Sequence, residues 1–317
     1  MARQQLLRER ITAQVIAALE SGDVPPWRRP WRVGPNAGFP ANVASKKPYR
    51  GINVLLLDAA SARHGLNSKW WATFNQWKSI GGMVKPRPAD VPSGQWGTTI
   101  VFWSPITKAV EGDTGQMEED KFFVLKSYTV FNVDQVVGDH LDHLRAGHGD
   151  TAQADIIDHR PAEEAIDAAR IGMGVGLRYG GDKACYSPAH DAIRVPPKST
   201  FDPLEEFYAT IFHEFVHATE HPSRLNWSRK EKDNSYAMGE LVAELGGTFL
   251  CRELGVPASE DMTNHVAYLG HWLKALKSDP RFIFTASAQA SRASDYILGF
   301  SRPTAVEQPA GEALMAG

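Results

Sequence analysis

The stretch HEFVHATEHPSRLNW, His213 to Trp227, contains the pattern H-E-x-x-H. In a helix, four residues advance the chain by about 6 Å and turn it by about 400°, so His213 and His217 project from one side, one turn apart. Two imidazoles placed in this way can take adjacent corners of a Zn2+ tetrahedron. Glu214, one position on, falls where a carboxylate holds a water rather than the ion. The plain alternative is an ordinary helix with solvent-facing histidines. Phe207, Ile211, Phe212, Phe215 and Val216 argue against it, because they give the helix a broad apolar surface in which histidines need partners.

A catalytic zinc also needs a third protein ligand and an open fourth position. His221 lies eight residues from His213, about 12 Å along a straight helix, and Pro222 follows it, so a capping or surface role suits it better. In GELVAEL, Glu240 and Glu244 repeat the four-residue spacing, with Leu241, Val242 and Leu245 on the apolar side. One carboxylate can ligate while the other holds the free ring nitrogen of a ligating histidine; spacing does not say which does which. An exposed glutamate pair is the competing reading. Gly246-Gly247 disfavours it, since two glycines in mid-helix cost stability unless another helix approaches closely. His265 and Tyr268, three residues apart on a later helix, are the candidates to steady a developing oxyanion.

These residues need helices to position them. One is expected over FDPLEEFYATIFHEFVHATE, with Asp202 as N-cap, Pro203 at the first helical position and Glu205 three residues after the cap. Others are expected near 161–171, from Ser235 to just before Gly255, over 261–277 and over 282–298. KACYSPAHDAIRVPP is extended, and the strand near Ala192 to Val195 is expected to offer its edge to an extended peptide. Residues 161–300 thus form a mostly helical domain with a small antiparallel sheet, and 301–317 read as a disordered tail.

Residues 1–136 read as a separate α+β domain. It has an amphipathic helix over 4–20, a helical SKWWATFNQWKSIGG, and strands TTIVFW and FFVLKSYTVFNV around the acidic loop EGDTGQMEED. Residues 137–160 are polar and acidic. Their histidines, His140, His143, His148 and His159, are irregularly spaced, which suits a solvated linker better than a metal cluster. The fold class is therefore α+β with two domains.

Composition agrees with two soluble domains: 317 residues, 43% hydrophobic and 22% charged. No apolar run approaches the roughly 18 residues of a membrane span, and charges interrupt the apolar residues of the N-terminus, which argues against a signal peptide. These features point to a cytoplasmic protein with no membrane partner. With only Cys185 and Cys251, any metal must be held by His and carboxylates. The net charge of -3 hides an asymmetry. Residues 1–110 carry 15 Lys+Arg against 5 Asp+Glu and seven of the nine tryptophans, and the rest of the chain carries 19 against 32. Two such different halves suggest two jobs.

Single-stranded DNA is held by stacking bases on aromatic faces while Lys and Arg track the phosphates. Three segments interleave those types: Trp27, Arg28, Arg29 and Trp31; Lys46, Lys47, Tyr49 and Arg50; Lys69, Trp70, Trp77 and Lys78. All twelve are candidate DNA contacts, whereas Trp71, Phe74 and Trp103 lie in apolar patterning and are expected in the core. Sequence-tolerant binding is expected, because stacking reads a π-face.

HEFVHATEHPSRLNW followed by ELVAELGGTFL, with YSPAHDAIRVPP before and NHVAYLGHWLKALKSDPRFIF after, resembles the zincin-like metallopeptidase domain of the ArdC antirestriction family. PWRRPW, KPYRGINVLLL, WWATFNQWKSIGG, GTTIVFW and YTVFNVDQ are similar to that family's N-terminal single-stranded-DNA-binding domain, which plasmid primase proteins also carry. The resemblance covers nearly the whole chain in the family's order. It implies a bacterial or mobile-element protein that binds single-stranded DNA and helps incoming DNA escape restriction, with a protein or peptide substrate, such as a restriction-system component, for the zinc site. By the gluzincin pattern it makes Glu240 the third ligand and Glu244 the residue behind a ligand. The chain departs from the family before GTTIVFW, where KPRPADVPSGQW replaces a short basic turn but keeps Lys85 and Arg87. Two rival readings stay open: a DNA protector whose zinc is structural, and a metal hydrolase acting on a non-peptide substrate.

Overall fold

The computed structural model describes residues 2–20, 36, 38–111, 117–145, 159–227, 235–257 and 266–302. Helix α1 (Ala2–Glu20) buries Ile11, Val15 and Leu19, which recur on one face. After β1 (Ala41–Asn42), α2 (Ile52–His64) ends at Gly65, whose φ of 65° is a conformation that side chains disfavour. Strand β2 (Trp70–Thr73) runs straight into α3 (Phe74–Ser79). The sequence WWATFNQW had read as one helix. It divides because Thr73 and Gln76 form a reciprocal cap, Gln76 N–H donating to Thr73 Oγ1 (3.3 Å) and Thr73 N–H to Gln76 Oε1 (3.0 Å). Next come β3 (Met83–Val84), the long hairpin β4 (Thr98–Glu111) and β5 (Met117–Asn132), and β6 (Val136–Val137). The hairpin strands pair out to Glu111 and Met117, into the stretch expected as an acidic loop.

The front sheet has the order β1-β2-β5-β4, with β1 parallel to β2 and the other pairs antiparallel. Strand β4 is an edge. Buried Asn53 on α2 satisfies it, its side-chain amide donating to Val101 O and accepting from Val101 N–H, both at 2.8 Å. The boundary expected after 136 is overrun. A 3-10 turn over Asp139–Leu144 buries Leu141 and Leu144, and Arg145 donates to Val133 O (2.6 Å) and Val136 O (2.8 Å). Residues 137–145 therefore pack on the front unit rather than link it. His140 bonds Ile80 O (2.9 Å) and His143 bonds His140 O (2.8 Å), while His148 lies outside the described residues.

The rear unit comprises α4 (Arg160–Met173), β7 (Gly176–Tyr179), β8 (Cys185–Ser187), β9 (Ala192–Val195), α5 (Glu205–Ala218), α6 (Ser235–Leu254), α7 (Val266–Ser278) and α8 (Phe282–Leu298). Its sheet has the order β7-β9-β8, with β7 parallel and β8 antiparallel to β9. Strand β9 is therefore central, its backbone is paired on both sides, and the peptide edge expected at Ala192 to Val195 is not available there. The Asp202 cap does not form either. Helix α5 starts at Glu205, and Glu206 N–H and Phe207 N–H turn back onto Pro203 O (3.2 Å) and Leu204 O (3.0 Å). Residues 303–317, expected as a tail, lie outside the described residues.

Front and rear share a core. Ile11, Val15 and Leu55 belong to the same buried cluster as Phe212, Leu241, Leu250, Trp272 and Ile283. Two smaller clusters, around Trp77 and Trp71, belong to the front alone. At the seam, buried Asp58 of α2 pairs with Arg252 of α6. Arg50 pairs with Glu253 (2.5 Å) and Asp295 (2.9 Å), and Thr12 Oγ1 donates to Pro280 O (2.8 Å). Burial raises the Asp58 pKa despite the opposing pull of Arg252. Among the described residues no helix is long and apolar enough to cross a membrane.

Candidate metal centre

Helix α5 buries Phe207, Phe212, Phe215 and Val216 completely or nearly so, and this fixes its rotation. His213 and His217 are thereby left on the remaining side, one turn apart. Helix α6 approaches closely, and its glycines explain how. A Cβ on Gly246 would lie 2.7 Å from Val216 Cγ2, and one on Gly247 would lie 3.2 Å from the backbone N of His213. The approach brings Glu240 to the histidines. His213 Nε2 lies 3.1 Å from His217 Nε2 and 3.6 Å from Glu240 Oε2, and His217 Nε2 lies 3.6 Å from Glu240 Oε1.

Bonds of about 2.0–2.1 Å at tetrahedral angles place neighbouring ligand atoms about 3.4 Å apart. The imidazoles are 3.1 Å apart and each lies 3.6 Å from a different oxygen of Glu240, and one ligand atom from each of the three residues falls within 4.8 Å of the others, so the residues present fit one divalent ion. Two imidazoles and a carboxylate suit zinc or manganese, and no thiolate joins the group. Glu244, a turn beyond Glu240, is buried and sits outside the ligand set, but its charge reaches His213.

The electrostatics follow from crowding. Burial alone would lower the His213 pKa, but the bond to Glu240 and the charges of Glu214 and Glu244 raise it above the ordinary histidine value. Burial pushes Glu240 up, yet His213 and His217 outweigh it and hold Glu240 below the usual carboxylate range. Glu214 is 8% exposed and its pKa is raised, chiefly by burial, against the pull of His213 and of the nearby Tyr186 backbone. A cleft of about 580 Å³ opens over His213, Glu214, His217 and Glu240, with Tyr186 on one wall and Tyr236 on another.

Close packing at the glycines carries a prediction. Gly247→Ala is expected to cost about 1–3 kcal/mol by overpacking, and also to weaken metal binding, because the new methyl presses on the backbone of a ligand. Thermal melts and metal titration would show both effects. Wild-type metal affinity in a destabilised Gly247→Ala would mean that helix spacing does not set the ligand geometry.

Residues 5–131 match the family profile of the N-terminal domain of anti-restriction factor ArdC, and residues 163–289 match that of a zincin-like metallopeptidase. The chain is 33% identical over 299 residues to y4eC, an uncharacterised protein of Sinorhizobium fredii (strain NBRC 101917 / NGR234), covering 91% of this chain and 90% of that one. It belongs to the ArdC family. The metal-free crystal structure of the antirestriction ArdC protein from the R388 plasmid aligns with this family member at TM-score 0.74 and 36% identity, over 93% of this chain and 97% of that one. The Mn(II)-bound structure of the same protein aligns at 0.69 and 33%, over 93% and 98%. An Escherichia coli DNA primase, TraC, is 33% identical over 96% of this chain, which spans 28% of TraC.

The front surface of this ArdC-family chain departs from several expectations. Tyr49 and Trp77 are buried. The Tyr49 hydroxyl accepts from Asn42 (3.2 Å) and the Trp77 indole N–H donates to Phe131 O (2.9 Å), so neither can stack on a base. Arg50 is committed to the seam. Lys46 and Lys69 lie over the half-buried Trp70 ring, 4.6 and 4.9 Å from its centroid, and burial lowers the Lys69 pKa. Lys46, Lys47 and Lys78 are exposed. Trp27, Arg28, Arg29, Trp31 and His265 lie outside the described residues, and Tyr268 is placed only as part of α7. Conversely, Phe74 (53% exposed) and Trp103 (50%) are not core residues, and Phe102 and Tyr128, exposed and in edge-to-face contact at 5.9 Å, went unnoticed in the sequence. Sequence reading missed Tyr186, which lines the cleft with Glu214, and the Asp191–Arg224 pair that the Tyr186 hydroxyl joins, and no local pattern marks them.

Proposed function

We propose that this protein is an antirestriction factor whose front unit holds single-stranded DNA and whose rear unit is a zinc-dependent peptide hydrolase. The observation that carries the second half is the convergence of His213, His217 and Glu240, each offering a ligand atom within 4.8 Å of the others, beside a buried Glu214 and under an open cleft. The ion held by those three side chains would supply Lewis-acid polarisation of a peptide carbonyl. Glu214 takes the proton of the attacking water and passes it to the leaving amine. Its raised pKa brings it closer to neutrality than an ordinary carboxylate and suits it to that exchange. Strand β8, not β9, is the edge strand beside the cleft.

The test is cleavage of a peptide library by the metal-loaded protein, before and after chelation and again after zinc is restored. Cleavage that ignores the chelator, or none at all with metal bound, removes the peptidase reading. Digestion of DNA instead would favour a nucleic-acid hydrolase.

For the front unit, the full chain is expected to bind single-stranded DNA better than duplex, with affinity falling as salt rises. Replacing Lys46, Lys47 and Lys78 together by Ala should lower the slope of log K against log salt by about 2, since each phosphate neutralised on a single strand contributes roughly 0.7. An unchanged slope would take the phosphate path away from these lysines.

A further inference from the structure

The Arg224 side chain is 2% exposed, and its guanidinium is fully engaged. It grips Asp191 with two nitrogens (2.8 and 2.7 Å), and it donates to Ala218 O (2.8 Å) and to Met173 O (3.0 and 3.2 Å). These anchors have a pattern. Ala218 is the last residue of α5, directly after His217; Met173 ends α4; Asp191 sits in the turn between β8 and β9. Arg224 is buried whereas the Asp191 side chain is 31% exposed, and taking the guanidinium out of water costs free energy that an apolar side chain in its place would not incur. What such a side chain could not supply is a fixed, two-pronged geometry.

That geometry leads to the catalytic glutamate. Asp191 Oδ1, besides accepting from Arg224, accepts the Tyr186 hydroxyl at 2.9 Å. Tyr186 is the middle residue of β8, which packs against α5; it lines the same cleft as Glu214, and its backbone N–H favours the Glu214 charge. Burial and the Asp191 carboxylate push the Tyr186 pKa up to about 12, so the hydroxyl keeps its proton. Asp191 itself sits at φ 44°, a left-handed conformation uncommon for a residue other than glycine, so its backbone is held where these bonds need it. Strand β8 is three residues long and, among the described residues, pairs with β9 alone and packs against α5.

We infer that the Asp191–Arg224 pair is a positioning device which, acting through Tyr186, locks strand β8 to the end of the metal helix and so holds the Glu214 carboxylate at its working place. The inference rests on the hydrolase reading for its effect on turnover, but its effect on the Tyr186 amide does not. Arg224 and Asp191 touch neither the ligand atoms nor the open part of the cleft. Their loss should therefore leave the metal in place and displace only Glu214 and the β8 edge.

Two conservative variants test this. Tyr186→Phe removes one hydroxyl, and Asp191→Asn keeps the size of the side chain and tolerates the left-handed backbone while discharging the pair. Arg224→Lys is a third variant, but it risks the fold. In the full chain, Tyr186→Phe and Asp191→Asn should bind Mn2+ or Zn2+ within about threefold of wild type, and the amide at position 186 should exchange its hydrogen at least about tenfold faster. On a peptide cleaved by the wild type, kcat should fall on the order of 10²-fold with KM nearly constant, the signature of a misplaced reacting group. Unchanged exchange at position 186 overturns the inference, as does a loss of metal affinity that parallels the loss of kcat. If the wild type cleaves no peptide, the hydrolase reading fails by itself, and the exchange measurement still decides whether the pair governs the Tyr186–Glu214 contact.

Discussion

Glu214→Gln is expected to retain a full complement of metal and to lose hydrolysis by about 10²- to 10⁴-fold, the usual loss when a general base is removed. The glutamine keeps the size of the side chain, so the packing of β8 against α5 should stay in place. The ligands His213, His217 and Glu240 are untouched, and elemental analysis should find the wild-type metal content. DNA binding by the front unit should also be unaffected. The variant therefore separates chemistry from occupancy. If it still protects DNA against restriction, protection comes from holding the strand. If protection disappears along with cleavage, the hydrolase is the means. A variant that lost its metal would show that Glu214 belongs to the ligand set and not to the water.

The second large effect concerns the ligands. Wild-type protein with metal at 100 times its dissociation constant should be stabilised by about 2.7 kcal/mol over the metal-free form, and that increment should vanish in His213→Ala and His217→Ala. Glu240→Ala should lose it too. Glu244→Ala, which alters only the surroundings of His213, is expected to weaken metal binding by about 10- to 100-fold without abolishing it. Denaturation with and without metal, read by calorimetry, measures all four variants. Full stabilisation in Glu240→Ala together with its loss in Glu244→Ala would reverse the assignment of the two glutamates.

The two four-residue spacings of the candidate site were legible because each is local to one helix. A helix brings residues four apart together whatever the rest of the fold does, so His213/His217 and the Glu240/Glu244 pair could be read directly, and Gly246-Gly247 signalled the close approach of α5 and α6. What depended on distant packing was not legible. Strand order is not written in any one strand, so AIRV looked like an edge although it lies between two neighbours. Trp77 and Phe74 exchanged their expected roles because the cap at Thr73 sets the phase of α3 and turns Trp77 onto β5 while Phe74 faces out. Arg50 looked like a phosphate contact because its partners, Glu253 and Asp295, lie more than 200 residues away in the chain. The linker was overestimated because Leu141 and Leu144 bring too little apolar character to a polar stretch for it to show as folded.

The seam between the two units bears on how such a gene can travel. Helix α1 and residues Arg50 and Asp58 are seated on α6, α7 and α8, so neither unit has a complete surface of its own. A recombination event that carried off the front alone would expose Ile11, Val15 and Leu55 on one product and deprive Arg252 of Asp58 on the other. An exchange outside the pair, with both units moving as one cassette, leaves the seam intact. Two relatives match across both units: y4eC along 90% of its own length, and in the much longer TraC a segment that takes in 96% of this chain rather than one half of it.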